Sequence, residues 1–158
     1  MRKLCWIAAL LALLALPIIG MAEVADPIEP EIPPVYAHQL AEGTYAIQVR
    51  SSSSMFRVVD AQLTVAEGEM TCVLTMSGKG YGMLYMGTGE EALLDLEEMF
   101  IASVITEEGA VTFEVPVEAL DMDIDCAAWS IRKERWYDRV LVFESIDIPA
   151  EAWLPAEE

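Results

Sequence analysis

The chain has 158 residues, of which 9 are lysine or arginine and 27 are aspartate or glutamate, so that its formal charge is −18. A polypeptide this acidic repels nucleic acids and anionic membrane surfaces, because both recruit proteins through positive charge. Composition therefore excludes DNA and RNA as partners, and the length suits one folded domain.

Residues 1–22, MRKLCWIAALLALLALPIIGMA, have the layout of a secretory signal peptide. Arg2 and Lys3 precede an uncharged apolar run, and small residues at a signal peptidase site end the segment. The alternative is an uncleaved membrane anchor, but the run at 4–19 is short against the ~20 residues that a bilayer needs. We expect cleavage after Ala22, secretion of the mature chain, and no stable membrane insertion afterwards.

The mature chain divides into a short arm and one domain. Residues 23–37, EVADPIEPEIPPVYA, hold four prolines and four acids without an apolar period, which predicts an extended acidic linker. We assign the folded domain to residues 38–150 and a C-terminal tail to residues 151–158. Cleavage would leave 7 cations against 27 acids, a formal charge of −20.

Within the domain the dominant hydrophobic period is two, which is typical of strands with one buried face. Turn signals that contain glycine separate the alternating segments at short intervals. Short strands joined by turns predict an antiparallel sandwich or barrel, and not a sheet of alternating strands and helices. The alternating segments lie at residues 45–49, 59–65, 70–76, 111–117 and 122–126.

The stretch YMGTGEEA, residues 85–92, can be read as the G-x-G-x-x-A turn of a dinucleotide-binding fold. Glu90 and Glu91 argue against that interpretation, because their carboxylates would repel a pyrophosphate and compete for the same amides. We predict instead a capping box between Thr88 and Glu91, at the start of a helix that continues toward Met99. The apolar side of this helix would consist of Leu93, Leu94 and Leu96.

Two cysteines, Cys72 and Cys126, remain after the leader, and both fall on the apolar side of their predicted strands. In an oxidising compartment they are expected to form a disulfide between two sheets; the alternative is a pair of buried free thiols. His38 is the one histidine of the chain. With so few ligands and no nucleophile beside a base, we predict no metal site and no enzymatic activity.

The segment IRKERWYDR, residues 131–139, concentrates cations next to aromatic residues. We expect Arg135, Trp136 and Tyr137 to lie on a late hairpin and to bind an anion or an acidic surface. The alternative is a solvated turn whose charges pair with local acids.

Two earlier segments supply further candidates for ligand binding. Ser54, Met55 and Phe56 end the run SSSSMF, which would form a lip over a pocket or else a bulge with its apolar residues inside. Tyr81 and Tyr85 share one face of a strand, because residues four apart in a strand align. They would line an aromatic groove, ligate a ferric porphyrin, or simply pack.

Taken in order, the segments LAEGTYAIQV, SSSSMF, AQLTVAEGEMTCVLTMSG, VTFEVPVEALDMDIDCAAWSI and WYDRVLVF resemble NEAT (near-iron-transporter) domains of Gram-positive surface and secreted proteins. The resemblance implies an immunoglobulin-like β-sandwich, here all-β with one short helix. It also implies binding of haem or a haemoprotein between the lip and the late hairpin. Members that ligate haem carry two tyrosines four apart on that hairpin, where this chain has Tyr137 followed by Leu141.

These observations lead to two functional expectations. The first is a secreted, non-enzymatic binding module that captures haem, another flat anionic ligand, or a surface protein. Haem is then a possible cofactor, although no cofactor is certain. The alternative is a structural accessory or spacer domain of the cell envelope that has no small-molecule ligand.

Overall fold

The computed structural model describes residues 31–156, and within that range nine strands form one antiparallel sheet. The neighbours in the sheet follow the order β5-β4-β8-β9-β1-β2-β3-β7-β6. In chain order the strands are β1 (Gly43–Ser51), β2 (Val58–Ala66), β3 (Glu69–Met76), β4 (Tyr81–Tyr85), β5 (Ile101–Ala102), β6 (Val104–Ile105), β7 (Val111–Pro116), β8 (Asp123–Ser130) and β9 (Arg135–Glu144).

The period of two in the sequence produces these strands, because alternate side chains of a strand face opposite sides of the sheet. Along β3 the buried residues are Met70, Cys72, Leu74 and Met76, and the residues between them are exposed or half-buried. Strands β7 and β2 alternate in the same way. The strands that we predicted in these segments are confirmed.

The predicted two-sheet, immunoglobulin-like sandwich is wrong, because the strands form a single sheet that curls into a nearly closed barrel. Strand β1 makes the curvature visible. Its first half, Gly43 to Ile47, pairs with β2, whereas its second half, Gln48 to Ser51, pairs with β9. Because the two halves of β1 pair with different neighbours, the sheet continues through β1 and curves around the core. Strand β1 is therefore not the edge of a separate layer.

The two ends of the sheet meet at a seam. Strands β5 and β6 are the edge strands, and along the chain only Ser103 lies between them. The Ser103 amide donates to the carbonyl of Gly82 in β4 at 3.0 Å, and the Thr112 hydroxyl of β7 donates to the carbonyl of Val104 in β6 at 3.0 Å. These bonds attach each edge strand to its neighbour in the sheet, and the chain at Ser103 joins the two edges.

The barrel interior is filled with apolar side chains and encloses one core. Aromatic residues occupy its centre: Phe56, Phe113 and Phe143 are fully buried. Burial of apolar surface contributes about 25 cal/mol per Å², so such large side chains supply much of the stability. The other large, fully buried side chains are Leu63, Cys72, Leu74, Leu84, Val115, Leu120, Cys126 and Leu141.

The predicted disulfide between Cys72 and Cys126 is also wrong: both thiols are free and buried. The prediction depended on two facing sheets. In the single sheet Cys72 belongs to β3 and Cys126 to β8, with β2, β1 and β9 between them. Both sulfurs instead belong to the single apolar core of the barrel.

Both thiols should resist alkylation in the native protein at mildly alkaline pH. Burial raises the pKa of Cys72 and of Cys126 to about 12, and only the thiolate is nucleophilic. After denaturation both should be labelled without added reductant, which mass spectrometry counts directly. A disulfide would give the opposite result, because no label would be incorporated until a reductant was present.

The segment after β4 contains less helix than predicted. The capping box is confirmed: the Thr88 hydroxyl accepts from the Glu91 amide at 3.2 Å, and the Glu91 carboxylate accepts from the Thr88 amide at 2.8 Å. However, α1 covers only Gly89–Ala92, and a separate 3₁₀ turn follows at Glu97–Met99. The predicted apolar side faces solvent, since Leu93, Leu94 and Leu96 are exposed.

The predicted leader, residues 1–22, and most of the predicted linker lie outside the described residues. The chain joins the barrel at Val35, which is buried and pairs with Leu120. Leu40 pairs with Trp153 near the other terminus. Among residues 31–156, no helix is long and apolar enough to cross a membrane.

Candidate functional site: a basic pocket at one end of the barrel

A pocket of about 330 Å³ opens at the end of the barrel where β1, β3 and β8 finish. Three connections surround it: the loop from β1 to β2, the loop from β3 to β4, and the turn from β8 to β9. In an antiparallel sheet these connections lie at the same end, which is why residues distant in sequence meet here. The lining residues are Met55, Arg57, Met76, Ser77, Gly78, Gly80, Tyr81, Ser130, Arg132, Lys133, Tyr137 and Arg139.

This basic pocket gathers positive charge on an acidic protein. Arg57, Arg132, Lys133 and Arg139 line it, and no aspartate or glutamate does. Within residues 31–156 the single ion pair joins Arg50 to Glu144, on another part of the sheet. The four cations of the pocket therefore have no carboxylate partner in this range, and their charge is available to a ligand.

Among the cations that line the basic pocket, Arg139 is the one with side-chain hydrogen bonds to other described residues. Its Nη2 donates to the Tyr81 hydroxyl at 3.0 Å, and its Nη1 donates to the carbonyl of Asp138 at 2.7 Å. The guanidinium carbon lies 5.9 Å from the ring centroid of Tyr81 and 5.3 Å from that of Tyr137. Contacts with two aromatic rings fix a planar cation in one orientation and add attraction of ~0.5–2 kcal/mol each.

One donor of this guanidinium remains unused. Arg139 Nε is buried and has no hydrogen-bond partner among residues 31–156. A buried donor without a partner costs about 1–3 kcal/mol, which is a large fraction of the stability of a domain. Natural folds tolerate such a cost most readily at functional positions.

Residue alternation along β9 explains why these side chains converge. Arg135, Tyr137 and Arg139 are two apart, and they pair with Ser130, Ala128 and Cys126 of β8. The odd-numbered residues of β9 therefore share one face, which lines the mouth of the barrel. Deeper in the barrel the same face supplies the core residues Leu141 and Phe143.

The structure places only three of the eight predicted binding residues in the basic pocket, namely Met55, Tyr81 and Tyr137. Ser54 is exposed in the neighbouring loop and lies outside it. Phe56 is fully buried, and its ring meets the ring of Tyr81 edge to face at 5.2 Å. Each of the two alternatives for this segment therefore applies to one residue: Met55 forms the lip, and Phe56 is tucked inside and anchors it.

Arg135 lies beside this pocket, and its guanidinium carbon is 4.6 Å from the ring centroid of Tyr137. Three lining cations lie in the basic segment that we identified at 131–139 but were not among the predicted site residues, and Arg57 lies outside that segment. The sequence carried a signal for these cations: only seven lysines and arginines follow residue 22, so any clustering among them is informative.

Tyr85 and Trp136 belong to a different surface, because they face the outer side of the sheet. Together with Phe100 and Trp129 they form an outer aromatic cluster, in which Trp136 contacts each of the other three rings at 5.0–6.5 Å between centroids. A bulge in β4 between Tyr81 and Met83 separates the two tyrosines. Tyr81 and Tyr85 therefore cannot act on one ligand as a pair.

Tyr85 is held by a carboxylate. Its hydroxyl donates to Asp95 Oδ2 at 2.7 Å. This hydrogen bond raises the pKa of Tyr85 above its ordinary value and lowers the pKa of Asp95. The phenol therefore stays protonated and serves to tie the loop after α1 to the outer aromatic cluster.

The opposite end of the barrel has the opposite charge. A cleft of about 800 Å³ lies there, between the turn from β2 to β3 and the end of β7. His38 stacks on Tyr36 at its rim, with ring centroids 6.0 Å apart. The carboxylates in the lining of this acidic cleft belong to Glu69, Glu118, Asp123 and Asp125.

No protein-family model matches the chain, and no curated protein is similar to it. The likeness to NEAT domains thus stays a prediction from sequence pattern, while the sandwich that it implied is wrong.

Proposed function

We propose that the mature chain is a secreted, non-enzymatic module that binds a small, flat organic anion in the basic pocket. One observation supports this most strongly: four cations that have no carboxylate partner among residues 31–156 surround two tyrosines at a barrel mouth, on a protein whose formal charge is −18. Self-repulsion between cations disfavours such a cluster unless an anion offsets it.

The shape of the basic pocket favours a ligand with one charged edge and an apolar body. Tyr81 and Tyr137 present ring surface, and Met55 and Met76 add flexible apolar contacts. Arg139 offers a fixed, planar set of donors of the kind that binds a carboxylate through two hydrogen bonds. The volume lies near the lower end of the ~300–1,000 Å³ of ordinary ligand sites, so a compact anion fits best.

Naphthoate and its neutral analogue naphthamide test the proposal, because they share a flat body and differ in charge. Isothermal titration at low salt should detect naphthoate binding and a much weaker signal for naphthamide. Raising the salt concentration should weaken naphthoate binding, since exposed charges are screened beyond ~10 Å at 0.1 M salt. Equal binding of the two compounds would contradict a site for anions.

Replacing two of the exposed cations, Arg132→Ser with Lys133→Ser, locates the site. We expect the naphthoate affinity to fall by about ten-fold or more, because two attractive charges are removed from the pocket rim. Arg50→Ser is the matched control: it also removes a cation but lies on β1 and pairs with Glu144. A similar loss in both proteins would indicate a net-charge effect and not a pocket.

Hemin distinguishes haem from smaller anions as the ligand. A shifted Soret band that is lost in Tyr137→Phe would identify a haem-binding site. An unchanged spectrum, together with naphthoate binding, leaves a smaller anion. Failure of every anion would favour the second function, a structural accessory domain of the envelope without a ligand.

A further inference from the structure

A second groove of about 300 Å³ runs beside the outer aromatic cluster, on the opposite face of the sheet from the basic pocket. Two indole rings form one wall, those of Trp129 and Trp136, whose planes cross at 68°. The start of α1 forms the other wall. The remaining lining residues are Gly89, Glu90, Leu93, Glu134, Arg135 and Asp138.

The fold holds this groove in place through one tight contact. The Gly89 amide donates to Asp138 Oδ1 at 2.6 Å. A Cβ atom at Gly89 would lie only 2.8 Å from the Cβ of Trp136, so any larger residue would push α1 away from β9. Glycine at this position of GTGEEA thus serves close packing, and α1 is fixed against the indole wall.

The charges that line this groove are mainly negative. Glu90, Glu134 and Asp138 contribute three carboxylates, and neither Glu90 nor Glu134 has a cation partner among residues 31–156. The guanidinium of Arg135, the one cation in the lining, stacks over Tyr137 on the side of the basic pocket. An organic anion would be repelled here, so this groove and the basic pocket cannot share a ligand class.

We propose that the groove binds a small organic cation of the trimethylammonium type. The negative face of an aromatic ring attracts a cation within about 6 Å of its centroid, and indole is the strongest of the aromatic side chains in this respect. Two indoles at a steep angle present ring surface from two directions, and carboxylates at the rim add a long-range attraction. Charge complementarity therefore favours a cation over a neutral apolar ligand of equal size.

Trp129 is the side chain to test. It contacts only Trp136 within the cluster, whereas Trp136 contacts three rings and so supports the fold. The probe is choline, and its control is dimethylbutanol, in which a carbon atom replaces the charged nitrogen at nearly the same shape. Binding is followed by indole fluorescence and by ligand-observed NMR.

We expect choline to bind and dimethylbutanol to bind at least about ten-fold more weakly. Trp129→Ala should abolish choline binding and Trp129→Phe should retain part of it, while Trp153→Ala, at an exposed indole elsewhere, should change nothing. Glu134→Gln should weaken choline by about two- to five-fold at low salt. Equal affinity for the two probes, or choline binding unaffected by Trp129→Ala, would overturn the proposal, as would no choline binding at all.

The same cation occurs free and as the headgroup of phosphatidylcholine. Co-sedimentation with phosphatidylcholine vesicles separates these sources. Binding to vesicles that free choline displaces would identify the lipid, and choline binding without vesicle binding would identify the free cation. Naphthoate binding in the basic pocket should be unchanged in Trp129→Ala, so the two sites can fail independently.

Discussion

Phe143→Ala is expected to lower the free energy of unfolding by about 3–5 kcal/mol. Phe143 is fully buried on β9, and its backbone pairs with Val49 of β1 where the sheet turns around the core. Its carbonyl also accepts from the Asp121 amide at 2.7 Å. Deleting the ring would leave a cavity among neighbours that the surrounding strands hold apart, so the site cannot collapse to fill it.

Urea denaturation followed by far-ultraviolet circular dichroism measures this loss. A domain of this size is stable by ~5–15 kcal/mol, so the variant would be partly unfolded or close to it. Ile146→Ala is the control, because Ile146 is 79% exposed and its loss should cost less than about 0.5 kcal/mol. If both variants were equally stable, a core centred on Phe143 would be wrong.

Arg139→Met is expected to weaken naphthoate binding by about 10–100-fold while changing the free energy of unfolding by less than about 1 kcal/mol. Hydrogen bonds to charged groups contribute ~1.5–3 kcal/mol, which accounts for the loss of affinity. For stability, two hydrogen bonds are lost, to Tyr81 and to the Asp138 carbonyl, but the unpartnered buried Nε is also removed. Methionine preserves most of the apolar packing of the arginine side chain, which further limits the change.

Two further variants define the role of Arg139. Arg139→Lys keeps the charge but loses the planar donors and much of the ring contact, so its affinity should fall between those of the native protein and Arg139→Met. Arg50→Met again controls for net charge. The contrary outcome is a variant that is much less stable but, at a temperature at which it is folded, binds naphthoate with unchanged affinity. Arg139 would then be structural and would not belong to the binding site.

The strands could be predicted from the sequence because the burial that forms them is local. The alternation at 70–76 and 111–117 requires only that each strand has one solvent-facing side and one buried side, and both segments are strands in the structure. The capping box at Thr88 was predictable for the same reason. Neither observation reveals whether a sheet splits into two layers or curls on itself, since both arrangements bury one face.

The barrel depends on features that leave little trace in the sequence. Strand β1 changes partner between Ile47 and Gln48, and two edge strands of two residues each close the seam around Ser103. Segments that short have no measurable period. The disulfide prediction therefore failed together with the two-sheet prediction, because it presumed that Cys72 and Cys126 lay on two facing sheets.

The lining of the basic pocket was predicted in part. Tyr137 and the cations of residues 131–139 were identified from composition, but including Trp136 with Tyr137 was not justified by the parity of their positions. On one strand, Trp136 and Tyr137 must face opposite sides. Alternation alone would have separated Trp136 from the basic pocket, but Tyr85 has the same parity as Tyr81, and only the bulge in β4 turns Tyr85 to the outer side.

Among residues 31–156, four cations line the basic pocket at one end of the barrel and four carboxylates line the acidic cleft at the other, which amounts to an electric dipole between the two openings. A dissolved anion is deflected by most of the protein surface and drawn in from one direction. The rate of encounter, and not only the strength of the final complex, should thus depend on ionic strength. The same dipole would orient the protein on any charged surface it meets, with the ligand entrance turned toward negative charge.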